Sequence, residues 1–219
     1  MSCKIFLASS SPQRRRILTA LGFRFSIIHP QIDESVTENE TPREYVTRLA
    51  VDKVRKGLTL LPDGTKDAIV IGADTCVAID DCIFGKPCHR EEARDMLQKL
   101  SDRVHEVHSA VAVSRGTHEQ SMCDSTRVHF VRLSQQQLTR YLRDGEYENR
   151  AGAYAIQGQA AQFVSRLDGS YSSVIGLPVS LTMQLLKNVG MPVPDEQFAN
   201  TDLQKEFPLT RSWGGEYCI

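Results

Sequence analysis

Residues 68–87 read AIVIGADTCVAIDDCIFGKP, a strand pattern with a charge in its middle. The apolar runs at 69–71 and 77–79 predict a strand that is buried on both faces within a sheet. Asp74 lies between these runs, where little water is expected. A buried carboxylate costs several kcal/mol unless a cation, a metal or hydrogen bonds compensate it. The stretch therefore predicts a central strand that carries a functional acid.

The end of the same stretch predicts a hairpin. Asp80-Asp81 is a turn signal, and a short apolar run follows it before Gly85-Lys86-Pro87. A hairpin of this length brings Lys86 back toward Asp74. The alternative interpretation is a structural Asp74 in a bulge, bonded to backbone amides, because structural networks also bury acids.

Composition places the 219-residue chain among ordinary globular proteins, with 24% charged and 7% aromatic residues. The formal net charge of -1 gives no general attraction to nucleic acid or to an anionic membrane, so neither is expected as a partner. The sequence shows no N-terminal apolar segment and no run of membrane-spanning length. We therefore expect a cytoplasmic protein with one large domain or two lobes.

The six cysteines are scattered without a Cys-x-x-Cys pair, which predicts free thiols in a reducing compartment. Cys82 and Cys88-His89 are the nearest approach to a zinc site, but their spacing matches no usual zinc pattern. We therefore expect no structural zinc from them.

A strand, a hydroxyl-rich turn and a helix follow one another near the N-terminus. Residues 4–8 (KIFLA) predict the strand, Ser11 suits the helix N-cap and Pro12 suits the first helical turn. Free amides and the positive end of the helix dipole favour phosphate at such a turn, and an arginine there adds a two-point contact. The alternative is a solvated helix face for the three arginines at 14–16. The absence of P-loop and Gly-x-Gly-x-x-Gly motifs argues against a P-loop enzyme or a standard dinucleotide-binding protein.

A second helix is predicted from Thr41, which forms a capping box with Glu44, to about Lys56. Its apolar stripe includes Leu49, and Lys53 falls on that same inward face. Most inward lysines reach back to the surface with the amine, but such a residue can also bring a cation to a buried acid or a phosphate.

The remaining pattern predicts strands at 23–28, 103–113, 122–132 and 161–166, and helices at 91–100, 134–143 and 178–188. The loop 146–158, EYENRAGAYAIQG, has the small residues, tyrosine and glutamine of a base pocket, although a plain connection is the interpretation that pattern alone favours. From residue 191 the chain is rich in Pro, Asp, Glu and Gln. We therefore divide it into a domain at 1–190 and a loosely attached tail at 191–219.

Several uncommon motifs occur in order along the chain: residues 7–14 (LASSSPQR), 71–75 (IGADT), 85–87 (GKP), and a block from 151–158 (AGAYAIQG) through 169–171 (GSY) to 174–178 (VIGLP). Together they resemble the Maf family of nucleoside triphosphate pyrophosphatases over about residues 4–190. The resemblance implies an α/β fold with an elongated, twisted mixed sheet, two lobes and a central cleft, similar to inosine triphosphate pyrophosphatases.

The resemblance also implies an activity, namely hydrolysis of a nucleoside triphosphate between the α and β phosphates with a divalent metal, Mg²⁺ or Mn²⁺. By motif, Asp74 is the catalytic acid and general base for water, and Asp74 and Glu34 are oxygen ligands for the metal. The residues implied to bind the substrate are Ser9, Arg14, Lys53 and Lys86. Residue patterns alone flag Asp74, Lys53 and the arginine turn, whereas Glu34 comes only from the resemblance.

The block at 151–158 resembles the branch of the family that acts on dTTP and UTP, and three positions are linked to that choice: Gln13, Thr75 and Gln157. Gln13 stands where an arginine is usual, which bears on substrate preference. Asn149-Arg150 replaces Asp-Lys, which bears on metal affinity, and Ser109-Ala110 replaces Thr-Gly. The tail after residue 190 has no counterpart in the family.

Two other functions remain open at this stage. One is a nucleotide-binding regulator of cell division with little turnover, and the other is a different α/β phosphohydrolase that releases orthophosphate from the terminal phosphate. The buried acid at Asp74 favours an enzyme, because a binding protein has less need of one. The resemblance implies a small-molecule nucleotide substrate and a homodimer.

Overall fold

The computed structural model describes residues 4–65, 67–80 and 82–191. Its strands are β1 (Ile5–Ala8), β2 (Ser26–Ile28), β3 (Ile69–Ile79), β4 (Cys82–Phe84), β5 (Val104–Arg115), β6 (His118–Phe130) and β7 (Val164–Asp168). Its helices are α1 (Pro12–Ala20), α2 (Pro42–Thr59), α3 (Arg90–Leu100), α4 (Gln135–Arg143), α5 (Tyr171–Ile175) and α6 (Val179–Asn188). Nearly all of the tail predicted at 191–219 lies outside the described residues.

The strands form one seven-stranded sheet in the order β2-β1-β3-β5-β6-β7, with β4 paired to β3 on the side of β1. β1 is parallel to both β2 and β3, and the other pairings are antiparallel. The predicted mixed α/β fold is therefore confirmed. None of the helices in the described ranges is long and apolar enough to cross a membrane.

One face of the sheet is covered by α2. Val46, Ala50 and Val54 of this helix pack against sheet residues such as Val70 and Ala112. The helix lies close to β3 because Gly72 has no side chain, since a Cβ there would stand 2.5 Å from the Ala50 carbonyl oxygen. The close approach at this glycine is therefore made by a helix backbone.

The opposite face carries two separate hydrophobic clusters. One contains α1 and α6 and includes Ala73 of β3, and the other contains α3 and α4 and includes Val77. Alternate residues of a strand share a face, so Thr75 lies between the two clusters. A polar residue of the central strand therefore marks the boundary between the two clusters.

Local hydrogen bonds explain where the predicted elements differ from the structure. β2 begins three residues late because the Phe23 N–H still bonds to the Leu18 carbonyl, completing the turn after α1. The strand predicted at 161–166 is wrong in its first half, where Gln159–Phe163 forms a 3-10 helix. The carboxylate of Glu146 accepts the first two N–H groups of that helix. α5 was missed because five residues are too few to show a helical period.

His105 is buried within an aromatic cluster beside β5. It is 1% exposed, its ring stands 4.8 Å from that of Phe130, and its Nε2 lies 2.8 Å from the Tyr154 hydroxyl. Its Nδ1 has no hydrogen-bond partner among the described residues. Burial, with a smaller contribution from His129, lowers the pKa of His105 from 6.5 to about 4.

This lowered pKa predicts a loss of stability in mild acid. Between the two pKa values the unfolded chain binds a proton that the folded chain does not, so unfolding becomes more favourable as the pH falls through 6.5 toward 4. We expect the free energy of unfolding to fall by about 2 kcal/mol between pH 7 and pH 5 because of His105 alone. Urea titration at each pH measures this change. The variant His105→Gln should lose this part of the slope, whereas His118→Gln, at an exposed position, should keep it. Equal slopes in all three proteins would show that His105 does not titrate in this way.

Candidate active site

A gap opens on one edge of the central strand. The pairing of β1 with β3 ends at Ala8 and Gly72, and the pairing of β4 with β3 begins at Val77 and Phe84. Among the described residues, positions 73–76 of β3 therefore have no partner strand on this side. The hydroxyl-rich turn at 9–11 leaves the sheet at one end of the gap, and the turn at 85–87 leaves it at the other.

A lysine holds two carboxylates together at this gap. Lys53 Nζ of α2 lies 2.6 Å from Asp74 Oδ1 and 2.8 Å from Glu34 Oε1. The side chains of Lys53 and Asp74 are only 9% and 11% exposed, so water screens this contact poorly. The predicted inward direction of Lys53 is confirmed. The bulge that the alternative interpretation places at Asp74 is absent, because the β3–β5 register runs without a break from residue 69 to residue 78.

Glu34 enters the group from the loop that follows β2. Its side chain is 46% exposed, and its backbone carbonyl accepts a hydrogen bond from the Tyr45 hydroxyl at 2.9 Å. Burial alone would raise the pKa of Glu34, but the hydrogen bond from Lys53 and the charges of Lys53, Lys86 and Arg14 together lower it. A loop acid gives no periodic signal, which is why residue patterns did not detect it.

Lys86 lies on the turn after β4, as the predicted hairpin requires. Its side chain is exposed, and its charge reaches Glu34 and helps to lower the pKa of that carboxyl. No hydrogen bond joins it to Asp74 in the described part of the chain. It is therefore an exposed cation at the mouth of the gap that acts on Glu34 through its charge.

Arg14 is buried at the start of α1 and is fixed by three hydrogen bonds. Its Nε donates to the Gly176 carbonyl at 2.8 Å, one terminal nitrogen donates to Ser9 Oγ at 3.2 Å, and the other donates to Thr75 Oγ1 at 3.3 Å. Burial lowers the pKa of Arg14, and the charges of Asp74 and Glu34 oppose this. A guanidinium has five N–H groups, so two remain for a ligand.

The turn that precedes α1 is built by its own hydroxyl groups. Ser11 caps the helix, as predicted, by accepting the Arg14 N–H, and Ser9 Oγ accepts the Ser11 N–H at 3.2 Å. Gln13 Oε1 lies 3.4 Å from Ser11 Oγ and is half-buried in the first helical turn. The solvated-face alternative is wrong for Arg14, whereas the neighbouring arginines at 15 and 16 are exposed.

The loop that carries Gln157 is fixed to the turn that carries Lys86. The Gly152 N–H donates to the Gly85 carbonyl at 3.1 Å. Gly152 has φ 65°, and a Cβ on it would meet Val77 at 2.8 Å, so only glycine suits this approach. Gln157 is exposed and lies near Tyr171, whose pKa is raised by burial and lowered less strongly by the nearby Gln157 side chain.

The group contains few candidates for metal ligands. No set of three or more His, Cys, Asp or Glu side chains in the described ranges is arranged to hold a metal ion. Asp74 and Glu34 offer two carboxylates, and both contact Lys53. Of the three residues considered above for a zinc site, His89 caps α3 by accepting the Glu92 N–H, and Cys82 and Cys88 are free thiols.

Comparisons with known proteins identify relatives over most of the chain. The family model for Maf-like protein matches residues 4–189. A dTTP/UTP pyrophosphatase of Vibrio vulnificus is 43% identical over 183 residues, covering 84% of this chain and 97% of the relative. A dTTP/UTP pyrophosphatase of Shewanella denitrificans is 46% identical over 188 residues, covering 82% and 93%.

Similar solved structures include a nucleoside-triphosphatase, also titled dITP/XTP pyrophosphatase, from Mycobacterium abscessus. It has a TM-score of 0.38 at 18% identity and covers 59% of this chain and 74% of its own. The Ham1 protein of Staphylococcus aureus has a TM-score of 0.41 at 16% identity and covers 58% and 71%.

Proposed function

This chain belongs to the Maf-like protein family, and we propose that it hydrolyses dTTP and UTP to the nucleoside monophosphate and pyrophosphate. The observation that carries the proposal is the buried contact between Lys53 and Asp74 beside Arg14, at the open edge of β3. The curated relatives named dTTP/UTP pyrophosphatase supply the reaction class and the substrates.

The first role of the site is to hold the triphosphate. The turn at 9–11 begins α1, whose free amides and positive dipole end favour an anion. Arg14 adds its two remaining N–H groups at a fixed position, and Lys86 adds an exposed positive charge from the opposite side of the gap. Because these groups surround the gap, the phosphates lie beside Asp74.

The second role belongs to Asp74. Lys53 occupies only its Oδ1, and no described residue donates to Oδ2. The free oxygen can therefore accept a proton from water as that water attacks the α phosphorus, after which pyrophosphate leaves. Lys53 fixes the direction of the carboxylate, while Arg14 and Lys86 stabilise the charge that develops on the phosphate oxygens.

A divalent cation is part of the proposal. Mg²⁺ is usually held by one or two carboxylates together with substrate phosphates, and two carboxylates are what Asp74 and Glu34 provide. A bound Mg²⁺ or Mn²⁺ would neutralise phosphate charge at this position.

We also propose that the protein is a homodimer. Light scattering of the purified protein would measure its oligomeric state.

Base selection is assigned to the loop around Gln157. An amide can donate to the O4 of thymine or uracil and accept from N3–H, whereas a carboxylate can only accept. We expect Gln157→Glu to lower kcat/KM for dTTP and UTP more than for CTP, whose N4 amino group is a donor. The measurement is kcat/KM on the three nucleotides with Gln162→Glu as a surface control. An equal loss on all three nucleotides would contradict a role in base selection.

Product analysis tests the proposed function. Purified protein is given each common triphosphate with Mg²⁺ or Mn²⁺, and pyrophosphate is separated from orthophosphate. We expect pyrophosphate with dTMP or UMP. Orthophosphate would identify a terminal phosphohydrolase, and tight dTTP binding without hydrolysis would favour the nucleotide-binding regulator.

A further inference from the structure

Two hydroxyl groups form a polar contact inside the sheet, between its two hydrophobic clusters. Thr75 of β3 lies directly opposite Ser109 of β5, and their oxygens are 2.7 Å apart. In the flanking rows of this face, Ala73 pairs with Val111 and Val77 pairs with Val107. Ser109 is completely buried. This pair is therefore a buried polar contact between apolar rows of β3 and β5.

The hydrogen bond with Ser109 fixes the orientation of the Thr75 side chain, whichever of the two hydroxyl groups donates. If Ser109 donates to Thr75, then Thr75 can donate to the Gly176 carbonyl at 3.4 Å. If Thr75 donates to Ser109, then Ser109 can donate to the Asp74 carbonyl at 3.4 Å. In both cases the Thr75 side chain is held in one rotamer. In the second case Ser109 also donates a hydrogen bond to the backbone carbonyl of Asp74.

The fixed Thr75 oxygen is one of the three acceptors that orient Arg14. Ser109 lies on the β5 side of β3, away from the open edge, and has no contact with Arg14 itself, because Thr75 stands between the two residues. We propose that Ser109 is a positioning residue that directs the guanidinium of Arg14 toward the triphosphate through Thr75. This inference rests on the proposed function of the site.

Three single variants separate positioning from simple core packing. Ser109→Ala removes the hydroxyl, Ser109→Thr restores one, and Ser114→Ala makes the same deletion at a buried serine of the same strand, opposite Val70. We expect Ser109→Ala to lower kcat/KM for dTTP about 10-fold, because small displacements of a positioned group cost rate. Ser109→Thr should recover most of this loss, and Ser114→Ala should keep the wild-type rate. Melting temperatures of all three show whether folding is affected.

A double variant tests the route through Thr75. In a Thr75→Val background, Ser109→Ala should cause little further loss of kcat/KM, because the oxygen that it positions is already absent. An equal loss in both backgrounds would overturn the proposal, and so would a Ser109→Ala enzyme within twofold of Ser114→Ala. Binding of dTTP is measured in parallel. If wild-type protein binds dTTP but releases no pyrophosphate, the proposed function fails, and the dTTP affinity of Ser109→Ala against Ser114→Ala still decides the positioning role.

Discussion

Asp74→Asn is expected to keep the fold and to lower kcat for dTTP by at least about 100-fold, the usual scale for losing a positioned base. The amide has the shape of the carboxylate, and its oxygen can still accept the hydrogen bond that Lys53 now gives to Oδ1. It cannot take a proton from water. The measurement is pyrophosphate release at saturating dTTP, with the melting temperature as the check on folding.

Asp80→Asn is the matched control for this variant. Asp80 belongs to the turn at the end of the same strand, pairs with Arg103 at the surface, and has a positive φ that asparagine tolerates. Its substitution should leave kcat unchanged. Near-normal turnover in folded Asp74→Asn would mean that Asp74 is structural and that the base lies elsewhere.

Lys53→Met is expected to have the largest effect on stability. It leaves Asp74, which is 8% exposed, as an uncompensated buried charge. Removing one partner of a buried ion pair costs about 3–5 kcal/mol of unfolding free energy. We expect a loss near the lower end, because half-exposed Glu34 can turn to water. Activity should also fall about 100-fold or more, since the base loses its orientation.

The combination with Asp74→Asn distinguishes charge from lost packing. Because the amide carries no charge, Lys53→Met should cost much less in that background, measured by urea unfolding of all four proteins. Lys56→Met, on an exposed position of the same helix, should change stability by less than about 0.5 kcal/mol. If Lys53→Met costs the same with and without the Asp74 charge, the ion pair does not stabilise the protein.

Residue patterns predicted best those features that depend on contacts between residues close together in the sequence. Ser11 and Thr41 both cap helices as predicted, because capping is a contact across three residues. The central strand was equally clear, since two apolar runs flank Asp74. Lys53 could be assigned to the inward face by helical period alone.

Tertiary contacts explain what residue patterns did not detect. Glu34 is joined to the site by a lysine 19 positions away, after a loop without periodicity. The Gly176 carbonyl that orients Arg14 is 162 positions away and is a backbone group, which leaves no residue signature. Ser109 differs from its apolar neighbours only by one hydroxyl, and its importance depends on the register between β3 and β5.

The most direct test is hydrolysis of dTTP in water labelled with heavy oxygen, followed by mass spectrometry of both products. A base at Asp74 that activates water against the α phosphorus predicts that the label appears in dTMP, that pyrophosphate is unlabelled, and that Asp74→Asn slows the appearance of labelled dTMP by at least about 100-fold. Label in pyrophosphate, or release of labelled orthophosphate, would place the attack on another phosphorus and contradict the assignment of the site.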